Sequence, residues 1–346
     1  MIRSILIALF ILAFSTGAQA GGPSERDRVF SDLYFKSQLK PQAVSAGEDG
    51  HGAGITFVIM PEFHSSSHSD MKTKLGGTKL KTSDGDSKTG SLMFTVSKEL
   101  TDTFSLGFLY QIAYMDYSGG LLTPDLAGFS GQTELDSLSH LVGFFSIVNL
   151  KEYGTLNLSL LQDFDSYDGH ETFVSPYGTD TRTLSDFKTR VTSLMAWYER
   201  RCNLSEAWSV TPYLGWRSVY AVVSDQNNFG VAAGMPGDKV DAHAWAHLIS
   251  GGLSFDYQNG PWGVHLRAGV NHRTSHDDVP GLASRAMAPG MVHIGYNIFM
   301  DRTLATYNLG LNYVFSPNAI MALGYDGAAG SDSTMHKASL ALVFPF

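Results

Sequence analysis

From residue 55 onward the hydrophobic positions recur every second residue. Leu92, Phe94 and Val96 alternate with Met93, Thr95 and Ser97. Phe104, Leu106, Phe108, Tyr110, Ile112 and Tyr114 alternate with Ser105, Gly107, Gln111 and Ala113. Trp262, Val264, Leu266, Ala268 and Val270 alternate with His265, Arg267, Gly269 and Asn271, and Ala338, Leu340, Leu342, Phe344 and Phe346 with Lys337, Ser339 and Ala341. Successive side chains on a strand point to opposite faces, so each segment predicts a strand with one apolar and one small or polar face. Twelve such strands start near residues 53, 89, 103, 134, 153, 185, 207, 242, 262, 302, 319 and 334. One stretch has a different period. Val29, Phe30, Leu33 and Tyr34 recur at helical spacing after Ser24 and Asp27 and before Pro41, which predicts a helix over 24–40 followed by a Gly-rich linker.

Two features of the pattern select the architecture. The apolar face carries its largest aromatics near strand ends (Tyr114, Trp216, Trp245, Trp262, Tyr313, Phe344), while the other face carries Gly, Ser, Asn and scattered charge. The connections also alternate. Short ones such as 99–102, 149–153, 202–206, 258–261 and 316–318 are interleaved with long ones at 63–88, 116–133, 165–184, 222–241 and 274–301. Aromatic girdles, a wet inner face and short turns at one end are the marks of a transmembrane barrel. The prediction is an all-β, twelve-stranded antiparallel transmembrane β-barrel with its apolar face on lipid. The apolar stretch at 291–300 is read as part of an outer loop. A helix of about sixteen residues is roughly 24 Å long, close to the height of the wall, so it could fit inside the lumen. A soluble secreted β-protein is the alternative to any membrane reading.

Composition narrows the partners. Only 16% of the 346 residues are charged, against about 25% in soluble domains. A net charge of -9 excludes nucleic acid as a partner. Cys202 is the single cysteine, so no intrachain disulfide or multi-cysteine zinc site can form. Arg3, the apolar run Ile5 to Phe14 and Ala18-Gln19-Ala20 fit a signal peptide cleaved after Ala20. The segments are then 1–20 signal peptide, 21–52 helix and linker, and 53–346 barrel.

Candidate chemistry is sparse. His64, Ser65 to Ser67, His68 and Asp70 fall in the first long loop, where two histidines and an acid could hold a metal; solvated loop is the plainer reading. His276, Asp277 and Asp278 cluster in another outer loop and raise the possibility of a hydrolase acting at the rim on peptide or lipid. No facing acid pair accompanies them. Ser139 and His140 are adjacent on one strand and so point to opposite faces, which prevents a nucleophile–base pair. Arg217, Asp256, Arg267, Arg273, Asn312 and Asp326 share the lumen parity and are the candidate pore-lining residues. They could line a channel, contact an internal helix, or neutralise one another. No catalytic, cofactor or metal site is assigned.

The segment Thr211-Pro212-Tyr213-Leu214-Gly215-Trp216-Arg217 resembles a mid-barrel strand of autotransporter β-domains. Leu309-Gly310-Leu311-Asn312-Tyr313, Ser316-Pro317-Asn318, Gly324-Tyr325-Asp326-Gly327 and the terminal Phe344-Pro345-Phe346 follow in the family's order. The resemblance covers roughly residues 53–346 and is strongest after about 205. It implies a twelve-stranded barrel with a helix in the pore, and recognition of the last strand, with Phe344 and Phe346 as its signal, by the barrel-assembly machinery. Some family members cleave themselves at an Asn in the pore helix; here the first Asn is Asn149, which excludes that cut. About thirty residues separate Ala20 from the first strand, so the expectation is a barrel without a passenger. The expected function is that of a non-enzymatic, monomeric outer-membrane protein, a surface-exposed structural or adhesive protein or a narrow pore, with an outer-membrane hydrolase as the alternative. Its expected partners are outer-membrane lipid, the assembly machinery and periplasmic chaperones.

Overall fold

The computed structural model describes residues 54–68, 71–75, 78–82, 85–120, 123–124, 127–176, 178–225, 241–276, 302–316, 318–331 and 333–345. The cleavage site at Ala20, helix 24–40 and its linker, Asp70, Asp277, Asp278, the 291–300 stretch and Phe346 lie outside the described residues.

Twelve long strands form the wall: β1 (Ile55–His68), β2 (Gly85–Thr101), β3 (Phe104–Gly120), β4 (Ser130–Asn149), β5 (Thr155–Ser175), β6 (Gly178–Glu199), β7 (Trp208–Asp225), β8 (Asp241–Asn259), β9 (Trp262–His276), β10 (Thr303–Ser316), β11 (Ala319–Ala329) and β12 (Ser333–Pro345). Each pairs antiparallel with the next, and β12 returns to pair with β1, with Phe57 opposite Phe344 and Phe63 opposite Ala338. Closure leaves no free sheet edge. Helix among the described residues is limited to a 3-10 turn, Lys151–Tyr153. The tight turns gather at one end. Gly154 stands at φ 112° with Glu199 O 2.2 Å from where a Cβ would sit, so the β4–β5 turn requires glycine.

The wall inverts the burial rule of soluble proteins. Phe144 and Leu214 on the outside are each 59% exposed, while Lys337 on the inside is 1% exposed. An outer face of this kind suits hydrocarbon rather than water.

Two expectations change. The segments 63–88, 116–133 and 165–184 are largely strand. β1 runs to His68 and β2 begins at Gly85, β3 runs to Gly120, and β5 and β6 pair almost to their tip at Ser175 and Gly178. The first connection adds a hairpin of Met71–Leu75 with Thr78–Thr82. Ladder hydrogen bonds belong to the backbone, so pairing continues past the lipid where hydrophobic alternation stops. His64 is therefore not a loop residue; it sits on β1 and is buried.

The inner face is also less polar than its residues suggested. Val58, Met60, Met93, Leu109, Leu141, Leu161, Met195, Ile320, Ala322, Ala341 and Val343 form one buried cluster on it. The strand register explains the grouping. Leu109 lies opposite Gly143, which lies opposite Leu161, and Leu161 Cδ2 occupies the space that a Cβ on Gly143 would need. Isolated apolar residues on separate strands thus become one patch.

The seam between β1 and β12 has a gap. Pairing runs from Thr56–Pro345 to Ile59–Leu342 and resumes at Glu62–Ser339, leaving Met60 and Pro61 without ladder partners on β12. Proline has no N–H to donate, so this point of closure is short of backbone hydrogen bonds.

Candidate functional site

The inner wall gathers most of the buried charge. Its first group bridges the seam. Lys337 Nζ on β12 lies 3.5 Å from Glu62 Oε1 on β1 and 3.2 Å from Asp326 Oδ2 on β11. Gln111 Nε2 donates to Glu62 Oε2 at 2.7 Å, Ser91 Oγ donates to the same oxygen at 3.1 Å, and Asn308 Nδ2 donates to Asp326 Oδ1 at 2.7 Å. Six strands meet through one ammonium and two carboxylates.

The second group is aromatic. Trp197 and Tyr213 stack at 4.5 Å between ring centroids, and the Arg267 guanidinium lies 4.3 Å from the first ring and 3.9 Å from the second. Cation–π contacts of this kind favour the charged group by about 0.5–2 kcal/mol. Trp197 Nε1 donates to Glu199 Oε2 at 3.2 Å. The Tyr213 phenol reaches across Gly252 and Gly269, two positions where a Cβ would fall 2.5 and 1.8 Å from its hydroxyl oxygen. A Gly269→Val variant is expected to push the phenol off this glycine bed, costing about 1–3 kcal/mol in the manner of an overpacked core. Near-ultraviolet circular dichroism should lose the signal of the Trp197–Tyr213 pair. Gly90→Val, with nothing within 4 Å of its Cβ position, should leave both the signal and the stability unchanged.

The third group centres on a carboxylate. His265 Nδ1 lies 2.6 Å from Asp256 Oδ1, and Ser209 Oγ donates to Asp256 Oδ2 at 3.4 Å. Serine, acid and histidine are present, but in the wrong order: the acid stands between the other two. A nucleophilic serine needs the imidazole to take its proton. Ser139 likewise donates to Asp163 Oδ1 at 2.6 Å, while His140 points outward to the Tyr110 hydroxyl.

Of the candidate pore-lining residues, Arg217, Asp256, Asn312 and Asp326 are buried on the inner side, and Arg267 and Arg273 are half-buried. Arg267 and Asp326 share one recess with Asn271 and Asn308; Arg217, Arg273 and Asn312 lie elsewhere on the wall. Lys337, Glu62, Trp197, Tyr213 and His265 were not singled out from sequence. Parity alone could have included Lys337, His265 and Glu62, since each stands on the polar side of its strand. Among the described residues no three His, Cys, Asp or Glu side chains gather as a metal site. Phe344 faces outward on β12, opposite Phe57.

The Autotransporter beta-domain family model matches residues 71–326. Among solved structures, the translocator domain of autotransporter NalP from Neisseria meningitidis is similar at a TM-score of 0.56 and 13% identity, covering 92% of this chain and 98% of that chain. The β-domain of the Bordetella autotransporter BrkA is similar at 0.51 and 14%, covering 84% and 100%. The transport unit of AIDA-I from Escherichia coli is similar at 0.50 and 11%, covering 90% and 97%. At such identities the likeness is one of fold. A search of curated proteins gives no match.

Proposed function

The chain belongs to the autotransporter β-domain family, and from that premise we propose that it is an outer-membrane barrel with a narrow, charge-lined pore plugged by the segment 21–52. The observation that carries this reading is the division of the inner wall. Arg267, Asp326, Lys337 and Asp256 supply polar chemistry, and the Met60–Met93–Leu109–Leu161 cluster supplies an apolar surface beside it. A helix with Val29, Phe30, Leu33 and Tyr34 on one stripe matches the apolar part. The short turns face the periplasm, where an exported chain arrives. The outward Phe344, with Phe346, serves as the recognition mark for barrel assembly.

The experiment is single-channel conductance in planar lipid bilayers. The chain from residue 21 is expected to conduct poorly, and the same chain lacking 21–45 to conduct well through a cation- or anion-biased pore. Equal conductance from both would defeat the plug. Absence of conductance from both would defeat the pore and favour a surface structural role.

A further inference from the structure

We propose that the outer wall formed by β9, β10, β11, β12 and β1 carries a binding surface for a phosphate-bearing lipid head group, built on His272 and His336 with Lys88 on the adjoining β2 at its margin. This rests on the orientation given above, with the short turns at the periplasmic side.

The first observation is height. His336 stands nine residues from Pro345 at the short-turn end of β12, and His272 ten residues from Trp262 on β9. At about 3.3 Å per residue and a tilt near 40°, that is roughly 25 Å above the short-turn rim, which equals the height of the apolar band of such barrels. The outward residues agree with this boundary. Below His336 on β12 come Ala338, Leu340, Leu342 and Phe344; above it come Thr334 and, across the seam, Ser67, hydrogen-bonded to each other at 3.1 Å. Both imidazoles therefore sit where hydrocarbon gives way to head groups.

The second observation is how the rings are held. His336 Nδ1 lies 2.8 Å from the Tyr325 hydroxyl and 3.4 Å from that of Tyr307, and its ring stacks on Tyr325. His272 Nδ1 lies 2.8 Å from Thr303 Oγ1. In both cases Nδ1 is tied to a hydroxyl of a neighbouring strand, and Nε2 has no hydrogen-bond partner among the described residues. Tyrosine alone would suffice for an interfacial belt. A fixed imidazole adds a ring N–H at Nε2 that can donate a charge-assisted hydrogen bond to an anionic phosphate oxygen.

The third observation is charge. From β9 through β12 and on to β1, the outward positions among the described residues hold no carboxylate. Lys88 on β2 follows across Ser65, which lies opposite His336. The acids begin beyond this wall, with Asp86 across Ser67 on β2 and Asp116 paired to Lys88 on β3. His140 stands at a similar height on the opposite wall with the same tie, Nδ1 to the Tyr110 hydroxyl at 2.9 Å. There the neighbouring outward groups include Arg190 over Phe164, but also Asp136, which accepts from Tyr114. The acid-free wall is the one suited to an anion.

The test uses the refolded full chain in detergent, incubated with equal amounts of phosphatidic acid and phosphatidylcholine, and reads the ratio of lipids retained after gel filtration. Enrichment of phosphatidic acid is expected. The variant carrying His272→Gln, His336→Gln and Lys88→Gln is expected to lose most of that preference, roughly tenfold for the loss of one or more charge-assisted hydrogen bonds. His140→Gln is expected to keep it. Equal retention of the two lipids by the wild-type chain overturns the proposal, whether or not the triple variant folds. So does an unchanged preference in a triple variant that still shows the heat-sensitive gel mobility of a closed barrel. Full displacement of phosphatidic acid by inorganic phosphate would overturn the assignment to a lipid. Since the readout does not depend on conductance, failure here leaves the pore reading standing, and failure of the pore leaves this result intact.

Discussion

Lys337→Ala is expected to destabilise the closed barrel by about 3–5 kcal/mol, the usual result of removing one partner from a buried ion pair. Lys337 is 1% exposed and lies between Glu62 on the first strand and Asp326 on the eleventh. Its loss leaves two carboxylates close to the same inner position without their ammonium. It does so beside the Met60–Pro61 gap, where the β1–β12 ladder offers no backbone bonds. The measurement is the urea midpoint of unfolding in lipid vesicles, followed by the heat-sensitive gel band. A companion variant joining Lys337→Met with Glu62→Gln and Asp326→Asn should recover most of the loss. A glutamine at position 62 can still accept from Gln111, and an asparagine at 326 from Asn308. If Lys337→Ala unfolds at the wild-type midpoint, the seam does not depend on this group.

The second large effect belongs to the other face. Leu309 lies on the outer side of β10, 49% exposed, seven residues from Ser316 at the short-turn end. That places it roughly 18 Å above the short-turn rim, within the apolar band but above its middle. Leu309→Arg is expected to cost about 1–3 kcal/mol in a bilayer, since a charge at that depth must give up water or deform the lipid. The same change at Asn318, an exposed turn residue at the rim, should cost nothing measurable. Comparison of the two urea midpoints checks this. Equal midpoints would mean that the outer face is not in hydrocarbon.

These two residues also show what the sequence could and could not disclose. Leu309 is a member of an unbroken row, Tyr307, Leu309, Leu311, Tyr313 and Phe315, so its face and its strand were legible from period alone. The same is true of the strand count and of the pairing of the last strand with the first, which follow from the alternation of short and long connections. Lys337 was legible only as a polar-side residue. Asp326 lies directly opposite it on the neighbouring β11, but Glu62 is remote in the chain, on a strand whose register with β12 no local pattern specifies. The inner apolar cluster escaped for the same reason. Leu109 stands in a row with Ser105, Gly107, Gln111 and Ala113, and one leucine in such a row carries no signal until Gly143 and Leu161 are set beside it. The reach of β5 and β6 was missed because Ser166 and Asp168 end the apolar row of Leu158, Leu160 and Phe164 while the backbone goes on pairing, with Thr172 opposite Thr181.

That reach gives the described wall an uneven edge. β5 and β6 have 21 and 22 residues, while β11 and β12 have 11 and 13. Ten further residues amount to roughly 30 Å along a strand. Among the described strands, the wall therefore stands higher at β5 and β6 than at β11 and β12, and a solute descending on the taller side meets paired sheet before it reaches the level at which β11 and β12 end.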